Sequence, residues 1–283
     1  MKNYRILNLG AGVQSGAIYA LMVNGEIEPA DYAVFSDTQE EPKWVYEQLN
    51  WLKTLDGPPI VEVTAGKIGE DLAVGVYTAK GQRRFASIPA HTTFVEGEKG
   101  GLTRRQCTRE YKIAPIEKWI RYEMLKLKPR QRIPKDVTIT SLFGFSTDES
   151  GRATRMQAQY KQRGIQWNCG FPLFDEDLLM TRHDATQYIT ERSGFGWRSS
   201  RCSFCPLQAN RHWREIKQHD REAWKRAVEV DETLRDETAV VSRGMKENMY
   251  AHRSCVPLSE ANLDEGQGTL FEDDGECEDG CFL

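Results

Sequence analysis

Three groups of residues in this 283-residue chain combine types and spacings that carry chemistry. The first is a small-residue turn, Gly10, Ala11, Gly12, Val13, Gln14 and Ser15, directly after an apolar run that ends at Leu9. Glycines let backbone N–H groups approach an anion, and a helix that begins there turns its electropositive end toward it. Strand, glycine turn and helix therefore form a phosphate cradle in open α/β sheets. The same residues serve equally as a plain strand-to-helix turn, because short glycine motifs are common. Ser15 carries a hydroxyl that can cap the helix or bond a phosphate. The second group sets one thiol among cations: Cys107 follows Arg104 and Arg105 and precedes Arg109 and Lys112. Cations favour the thiolate, the form that binds metal or attacks. The alternative is a solvated basic loop with an incidental cysteine. The third is Cys202-Ser-Phe-Cys205 followed by Pro206. A Cys-x-x-Cys turn brings two sulfurs to one ion, and a tetrahedral site needs two further ligands.

These groups need elements to position them. The apolar run before Gly10 reads as a strand. The helix after it shows Ala17, Ile18, Leu21 and Met22 on one face and stops at Gly25. A second run, Tyr32 to Phe35, ends in Ser36-Asp37-Thr38, and a helix opens at Pro42. A short β-branched strand follows at residues 60–63. The alternation points to an α/β fold, a parallel twisted sheet with helices on both faces. Asp37 then stands just past the second strand, placed to bind a ribose or an adenine amino group or simply to cap a helix. Residues 67–78 read as a helix and residues 80–101 as a long irregular excursion. Pro115 starts a helix whose apolar face is Ile116, Trp119, Ile120, Met124 and Leu127.

The clearest later strand is residues 137–145. It runs into Ser146-Thr-Asp-Glu-Ser150, then Arg152 and Arg155. Polar clusters at the carboxyl ends of parallel strands bind ligands. Two arginines one helical turn apart either clamp a phosphate or sulfate or pair with Asp148 and Glu149. Further on, Thr181 with Asp184 forms a capping box, Gly194 ends that helix, and residues 213–234 read as one or two amphipathic helices. From Leu258 the chain is acidic and poor in core residues, a flexible tail that carries Cys277 and Cys281.

Bulk properties narrow the classes. Lys and Arg total 38 against 42 Asp and Glu, a net charge of −4, so nothing global points to nucleic acid, although the basic residues are clustered. No apolar run is long enough to span a bilayer and the N-terminus lacks a signal-peptide pattern, so no membrane partner and a cytoplasmic location are expected. Seven cysteines in such a chain argue against a disulfide framework and for metal, cluster or redox chemistry.

In this order the motifs resemble the phosphoadenosine phosphosulfate reductase branch of the adenine nucleotide α-hydrolase-like superfamily, in particular its phage and prophage members. The resemblance runs over residues 4–257. It rests on the turn at residues 10–15, Phe35-Ser-Asp-Thr38 with Glu41-Pro42, Arg105-Gln-Cys-Thr108 leading to Tyr111-Lys-Ile-Ala-Pro-Ile116, Gly144-Phe-Ser-Thr-Asp-Glu-Ser150 with Arg155, and Cys202-Ser-Phe-Cys-Pro206. It implies a nucleotide-binding α/β domain over residues 1–165, a mainly helical cysteine-containing part over 166–257, and the tail over 258–283. It implies that the residues of the 10–15 turn, Asp37, Thr38, Arg104, Arg105 and Arg152 bind an adenine nucleotide, ATP or a sulfonucleotide. It further implies a [4Fe–4S] cluster, or Zn²⁺ on the same thiolates, held by Cys107, Cys202 and Cys205, with Cys169, Cys255 or no residue as the fourth ligand.

Departures from the family pattern matter. ATP-splitting members carry Ser-Gly-Gly-x-Asp-Ser at the turn, and here Gln14 stands in place of the Asp. Glu276-Cys277 resembles the reductases' nucleophilic Glu-Cys, without the Gly and His that follow it there. The leading expectation is an enzyme of sulfur chemistry on an adenine nucleotide, with Cys277, Lys112 and Arg155 catalytic and a thiol reductant or sulfur-donor protein as partner. One alternative is an ATP-dependent sulfur or nitrogen transferase acting on a nucleic-acid base. The other is a non-catalytic nucleotide-binding zinc protein.

Overall fold

The structure, a computed structural model, describes residues 2–74, 76–77, 83–84, 88–93, 101–236 and 248–264. In chain order the first elements are β1 (Lys2–Leu9), α1 (Val13–Val23), β2 (Tyr32–Asp37), α2 (Lys43–Leu52), β3 (Ile60–Thr64) and α3 (Ile68–Val74). The two-residue strands β4 (Val76–Tyr77), β5 (Arg83–Arg84) and β6 (His91–Thr92) come next, then α4 (Ala114–Trp119) and β7 (Val137–Leu142). The chain continues through α5 (Ser150–Lys161), β8 (Trp167–Gly170), α6 (Arg182–Ser193), α7 (Asn210–His219), α8 (Arg221–Arg235) and β9 (Met249–Tyr250). These elements form two compact units, interleaved along the sequence rather than divided end to end. One comprises Met1–Asp37, Trp44–Val63 and Ala114–Ser200, and the other Thr38–Lys43, Thr64–Ile113 and Arg201–Leu283. Residues 166–200, expected with the cysteine-containing part, thus belong with the sheet.

The first unit is the expected α/β layer. Its five strands run in the order β3-β2-β1-β7-β8. β1 pairs in parallel with β2 on one side and β7 on the other, so Leu7 lies opposite both Ala33 and Leu142. β8 continues in parallel from β7. Four consecutive residues of β1, Ile6 to Leu9, are buried, as are Ala33 to Ser36 of β2. Consecutive burial means that both faces of the sheet are covered. Asn8 is the polar member of that run, and its amide donates to the Leu142 carbonyl at 3.1 Å, which satisfies it inside the core. Helix α1 is buried on nearly every side rather than along one face, from Ser15 through Met22. It ends where expected, with Gly25 at φ +72°.

Helix starts are legible where a side chain makes the cap. Thr181 Oγ1 accepts from the Asp184 amide at 3.2 Å and the Asp184 carboxylate closes the box from the other side. Gly194 ends α6 in the left-handed region at φ +74°. The helix expected from Pro115 begins earlier. Residues Thr108–Ile113 wind as a π-helix, α4 follows, and Ile120–Met124 is again π-wound. Pro115 has no N–H to donate, and wider winding beside a proline absorbs the missing bond. The helix expected over residues 67–78 is shorter, because α3 gives way to β4.

The second unit is built on α7 and α8, which Asp220 separates. Its carboxylate caps α8 by accepting from the Ala223 amide at 3.0 Å and also accepts from the Lys43 amide at 2.8 Å. The fully buried Asp231 on α8 holds the following segment: it accepts from the amides of Ala251 at 2.7 Å and Leu258 at 2.8 Å and pairs with Arg235 at 2.6 Å. β9 pairs antiparallel with β6. Leu258 and Leu263 are buried, so packed structure continues past the point where the sequence turns acidic. Among the described residues no helix is long and apolar enough to cross a membrane.

Candidate functional site

In the sheet unit the chain leaves β1 toward β2 on one side and returns as β7 on the other. At such a reversal of strand order, the carboxyl ends of the strands are where ligands of open α/β sheets bind. The turn at residues 10–15 sits there. Its backbone is unusual: Ala11 is buried with φ +54°, a left-handed conformation that a residue with a Cβ adopts only when its surroundings enforce it. The enforcing group is Gln48 of α2. Its buried amide donates to the Ala11 carbonyl at 2.6 Å and the Arg198 carbonyl at 3.0 Å, while its oxygen accepts from the Arg198 amide at 2.8 Å. Gln48 thereby ties residues 198–200 to the turn.

The two glycines matter for the same reason. A Cβ on Gly12 would lie 2.8 Å from Ser200 Oγ and 3.0 Å from its amide nitrogen, and one on Gly10 would lie 3.1 Å from that hydroxyl. The absence of a Cβ at Gly10 and Gly12 is thus what lets the hydroxyl and amide nitrogen of Ser200 pack against the turn. Ser15 does not cap α1. Its hydroxyl accepts from the Gly10 amide at 3.2 Å, which closes the turn on itself, and Gly12 is the N-cap. Gly144, just past β7, is pressed against the start of α1: a Cβ there would meet the Ser15 nitrogen at 2.8 Å.

Gln14 points to the loop after β7. Its amide donates to Glu149 Oε2 at 3.0 Å and to Ser146 Oγ at 3.4 Å. The same carboxylate accepts from the Ser146 amide at 3.2 Å and pairs with Arg152, whose guanidinium lies 4.5 Å from the Phe145 ring centre. The two arginines expected as a clamp are therefore unlike each other. Arg152 is half-buried and held by Glu149, whereas Arg155 is exposed. Asp37 accepts from the Tyr46 hydroxyl at 2.9 Å, and the first amide of α2 bonds to Asp220 instead of Asp37.

The second unit holds a thiol site. Thr38, only 1% exposed, has its hydroxyl 3.2 Å from Cys202 Sγ and 3.4 Å from Glu41 Oε1. Cys202 Sγ lies 3.8 Å from the same Glu41 oxygen, and Lys112 Nζ 3.3 Å from it. The Glu41 side chain is 2% exposed, and its other oxygen, Oε2, is buried with no hydrogen-bond partner among the described residues. The cluster is fixed through its neighbours. The Glu40 carbonyl accepts from both the amide and the hydroxyl of Ser203, at 2.7 and 2.9 Å, and the Glu40 carboxylate pairs with Arg226 at 2.9 Å. Burial pushes the Cys202 thiol well above its ordinary pKa, and the Glu41 charge adds to this. Lys112 and the Thr38 hydrogen bond act the other way, and Cys107 is near enough to raise it further. For Cys202 burial and the carboxylate outweigh the cation, so the resting group is a thiol. The Cys-x-x-Cys segment forms the expected turn, with the Cys205 amide donating to the Cys202 carbonyl at 3.0 Å.

The structure brings together some of the expected site residues and separates others. Gly10 through Ser15 and Arg152 lie in the sheet unit, and Thr38, Arg104, Arg105, Cys107, Lys112, Cys202 and Cys205 in the other. Cys169 is in β8 of the sheet unit, opposite Ser141, where burial raises its pKa. Cys255 is in the second unit, half-buried, with φ +54°. Cys277 lies outside the described residues. Among the described residues no three His, Cys, Asp or Glu side chains are already gathered around a common point. The residues that the sequence did not single out are Gln48, Ser200 and Glu41. Only Glu41 left a trace, in the Glu41-Pro42 pair. Compared with protein-family models, curated proteins and solved structures, the chain matches none.

Proposed function

We propose that the chain is an enzyme of sulfur chemistry that binds an adenine nucleotide through its sheet unit and uses the thiols of its second unit. The observation that carries the nucleotide part is the turn at residues 10–15. It follows β1 at the reversal of strand order, is held in a left-handed conformation by Gln48, and is packed against Ser200 by its two glycines. Such a turn before a buried helix suits the phosphates. Gln14 brings no negative charge of its own to that turn, which favours binding over the Mg²⁺-assisted splitting that an Asp there supports in the ATP-splitting relatives it resembles.

That Cys107, Cys202 and Cys205 share one unit, with the partnerless Glu41 oxygen on the carboxylate next to Cys202, supports reading them as a thiolate-bound metal centre. Bound there, an iron–sulfur cluster supplies redox or sulfur-transfer chemistry and zinc supplies a structural clamp. This chain's own contribution is to fix Cys202 beside Thr38 and Glu41 and to set Lys112 beside Glu41 as its counter-charge.

The test is calorimetric titration of the full chain with ATP, a sulfonucleotide and GTP. Binding of an adenine nucleotide in preference to GTP is expected. Gly144→Ala, whose new Cβ would press on the Ser15 nitrogen, should weaken it at least about tenfold. Gly151→Ala, where only the Arg155 side chain comes within 3.7 Å, is the control. Absence of adenine-nucleotide binding overturns the reading. Sulfite release from a sulfonucleotide supports the reductase form. Release of AMP and pyrophosphate only with nucleic acid present replaces it by base modification.

A further inference from the structure

We infer that Glu41 is a metal ligand, and that the fourth donor beside Cys107, Cys202 and Cys205 is its carboxylate rather than a fourth cysteine. The inference rests on reading the Cys-x-x-Cys turn as a metal site and is independent of the nucleotide reading.

Three observations point to Glu41. Its carboxylate is in contact with the first sulfur of the pair, 3.8 Å from Cys202 Sγ through Oε1. Oε1 is fully used, by Thr38 at 3.4 Å and Lys112 at 3.3 Å as well as by the thiol. Oε2 is buried and has no hydrogen-bond partner among the described residues, although the side chain is only 2% exposed. A buried carboxylate oxygen without a donor is costly, because its lost hydration is not replaced. A cation at that oxygen replaces it. Of the two cysteines that the family resemblance offers as fourth ligand, Cys169 is in β8 and pairs along β7, and the Cys255 thiol donates to the Arg253 carbonyl at 3.8 Å. Glu41 belongs to the same unit as the other three donors and is locked to the Cys-x-x-Cys turn by the two bonds from Ser203 to the neighbouring Glu40 carbonyl.

The charge balance agrees. Three thiolates and a carboxylate around a divalent ion leave about two surplus negative charges. Lys112, only 11% exposed and 3.3 Å from Glu41, offsets one of them. A donor set of three sulfurs and one oxygen suits a single Zn²⁺ ion better than a four-thiolate cluster. Binding gathers Cys107 and Cys205 onto the existing Cys202–Glu41 pair, and the thiols lose their protons to solvent as the metal enters.

The experiment is an anaerobic titration of the reduced, chelator-treated full chain with Co²⁺, a spectroscopic stand-in for Zn²⁺, followed by Zn²⁺ competition. The readouts are the sulfur-to-cobalt charge-transfer band, whose intensity scales with the number of thiolates, and the ligand-field bands. The wild type is expected to bind one Co²⁺ per chain with the intensity of three thiolates. Cys169→Ser and Cys255→Ser should each bind identically. Glu41→Gln should weaken affinity about tenfold to a hundredfold. Because Glu41→Gln also disturbs Lys112, Glu41→Cys supplies a gain of signal: charge-transfer intensity should rise by about a third as a fourth sulfur enters. Loss of binding in Cys169→Ser or Cys255→Ser, unchanged affinity in Glu41→Gln with no added intensity in Glu41→Cys, or no Co²⁺ uptake by the wild type would each overturn the assignment. Titration of ATP into the same samples reads the nucleotide site separately.

Discussion

The second unit carries a built-in sensitivity to acid at His252. This side chain is 3% exposed, and its Nε2 lies 2.9 Å from Asn210 Oδ1, so Nε2 carries the proton. Nδ1 is then the acceptor, facing the Ser254 hydroxyl at 2.7 Å and the Ser254 amide at 3.2 Å. A second proton on Nδ1 would expel the amide bond and set a charge beside Arg253 and His91. Burial, with Arg253 and His91, lowers the His252 pKa from 6.5 to about 4, while Asp231 opposes the shift. Unfolded His252 takes up its proton near the ordinary value, so between the two pKa values the unfolded chain binds more protons. Stability is therefore fully present above the unfolded pKa and is lost as pH falls through the folded one. The complete shift corresponds to about 3 kcal/mol, and lowering the pH from about 7.5 to about 5 removes about 2 kcal/mol of it. His91, also lowered mainly by burial, acts in the same direction. The assay is urea unfolding followed by circular dichroism across this range, in the wild type and in His252→Gln, which keeps an amide donor toward Asn210. The variant should be less stable at neutral pH but should lose about 2 kcal/mol less on acidification. Equal pH slopes for the two proteins would refute the argument.

Two further perturbations bear on residues that fix the candidate sites. Gln14→Glu replaces the amide donor 3.0 Å from Glu149 Oε2 with a second carboxylate. It should cost about 1–3 kcal/mol at neutral pH, shrinking as acid protonates one of the pair, as read by thermal unfolding at several pH values. Asp231→Asn keeps one acceptor but turns an N–H₂ toward the Leu258 amide or Arg235, so about 3–5 kcal/mol should be lost. Faster hydrogen exchange at the Ala251 and Leu258 amides should accompany it.

What was legible in the sequence follows from range. The strands of the sheet were, because consecutive apolar residues such as Ile6, Leu7 and Leu9 report burial on both faces without any tertiary knowledge. So was α6, whose start and stop are written by Thr181, Asp184 and Gly194 alone. The π-wound turn at Thr108–Ile113 was not, because a proline at 115 reads locally as a helix start. The site partners were least legible. Gln48 meets Arg198 across 150 positions of sequence, and Cys202 meets Thr38 across 164. Nothing in the composition around Gln48 distinguishes it from any other polar residue on an amphipathic helix. Only its burial in the fold shows that it holds Ala11 in a left-handed turn.

Gln14 illustrates how such distant pairing changes the meaning of a motif. Taken alone, it is an uncharged residue where the ATP-splitting proteins that the turn resembles carry Asp. In the fold it faces Glu149, and the choice at position 14 is coupled to the residue at 149. An acid at position 14 would set two carboxylates within hydrogen-bonding distance, whereas the amide donates to the one already there. That carboxylate also accepts from the Ser146 amide and holds Arg152, so its charge is compensated before any ligand arrives. On the nucleotide reading proposed above, an entering phosphate would meet backbone N–H groups of the glycine turn and would compete with Glu149 for Arg152. A neutral Glu149→Gln variant, which removes the carboxylate charge paired with Arg152, should bind adenine nucleotides more tightly than the wild type, and weaker binding by that variant would show that the Glu149–Arg152 pair supports the site instead of guarding it.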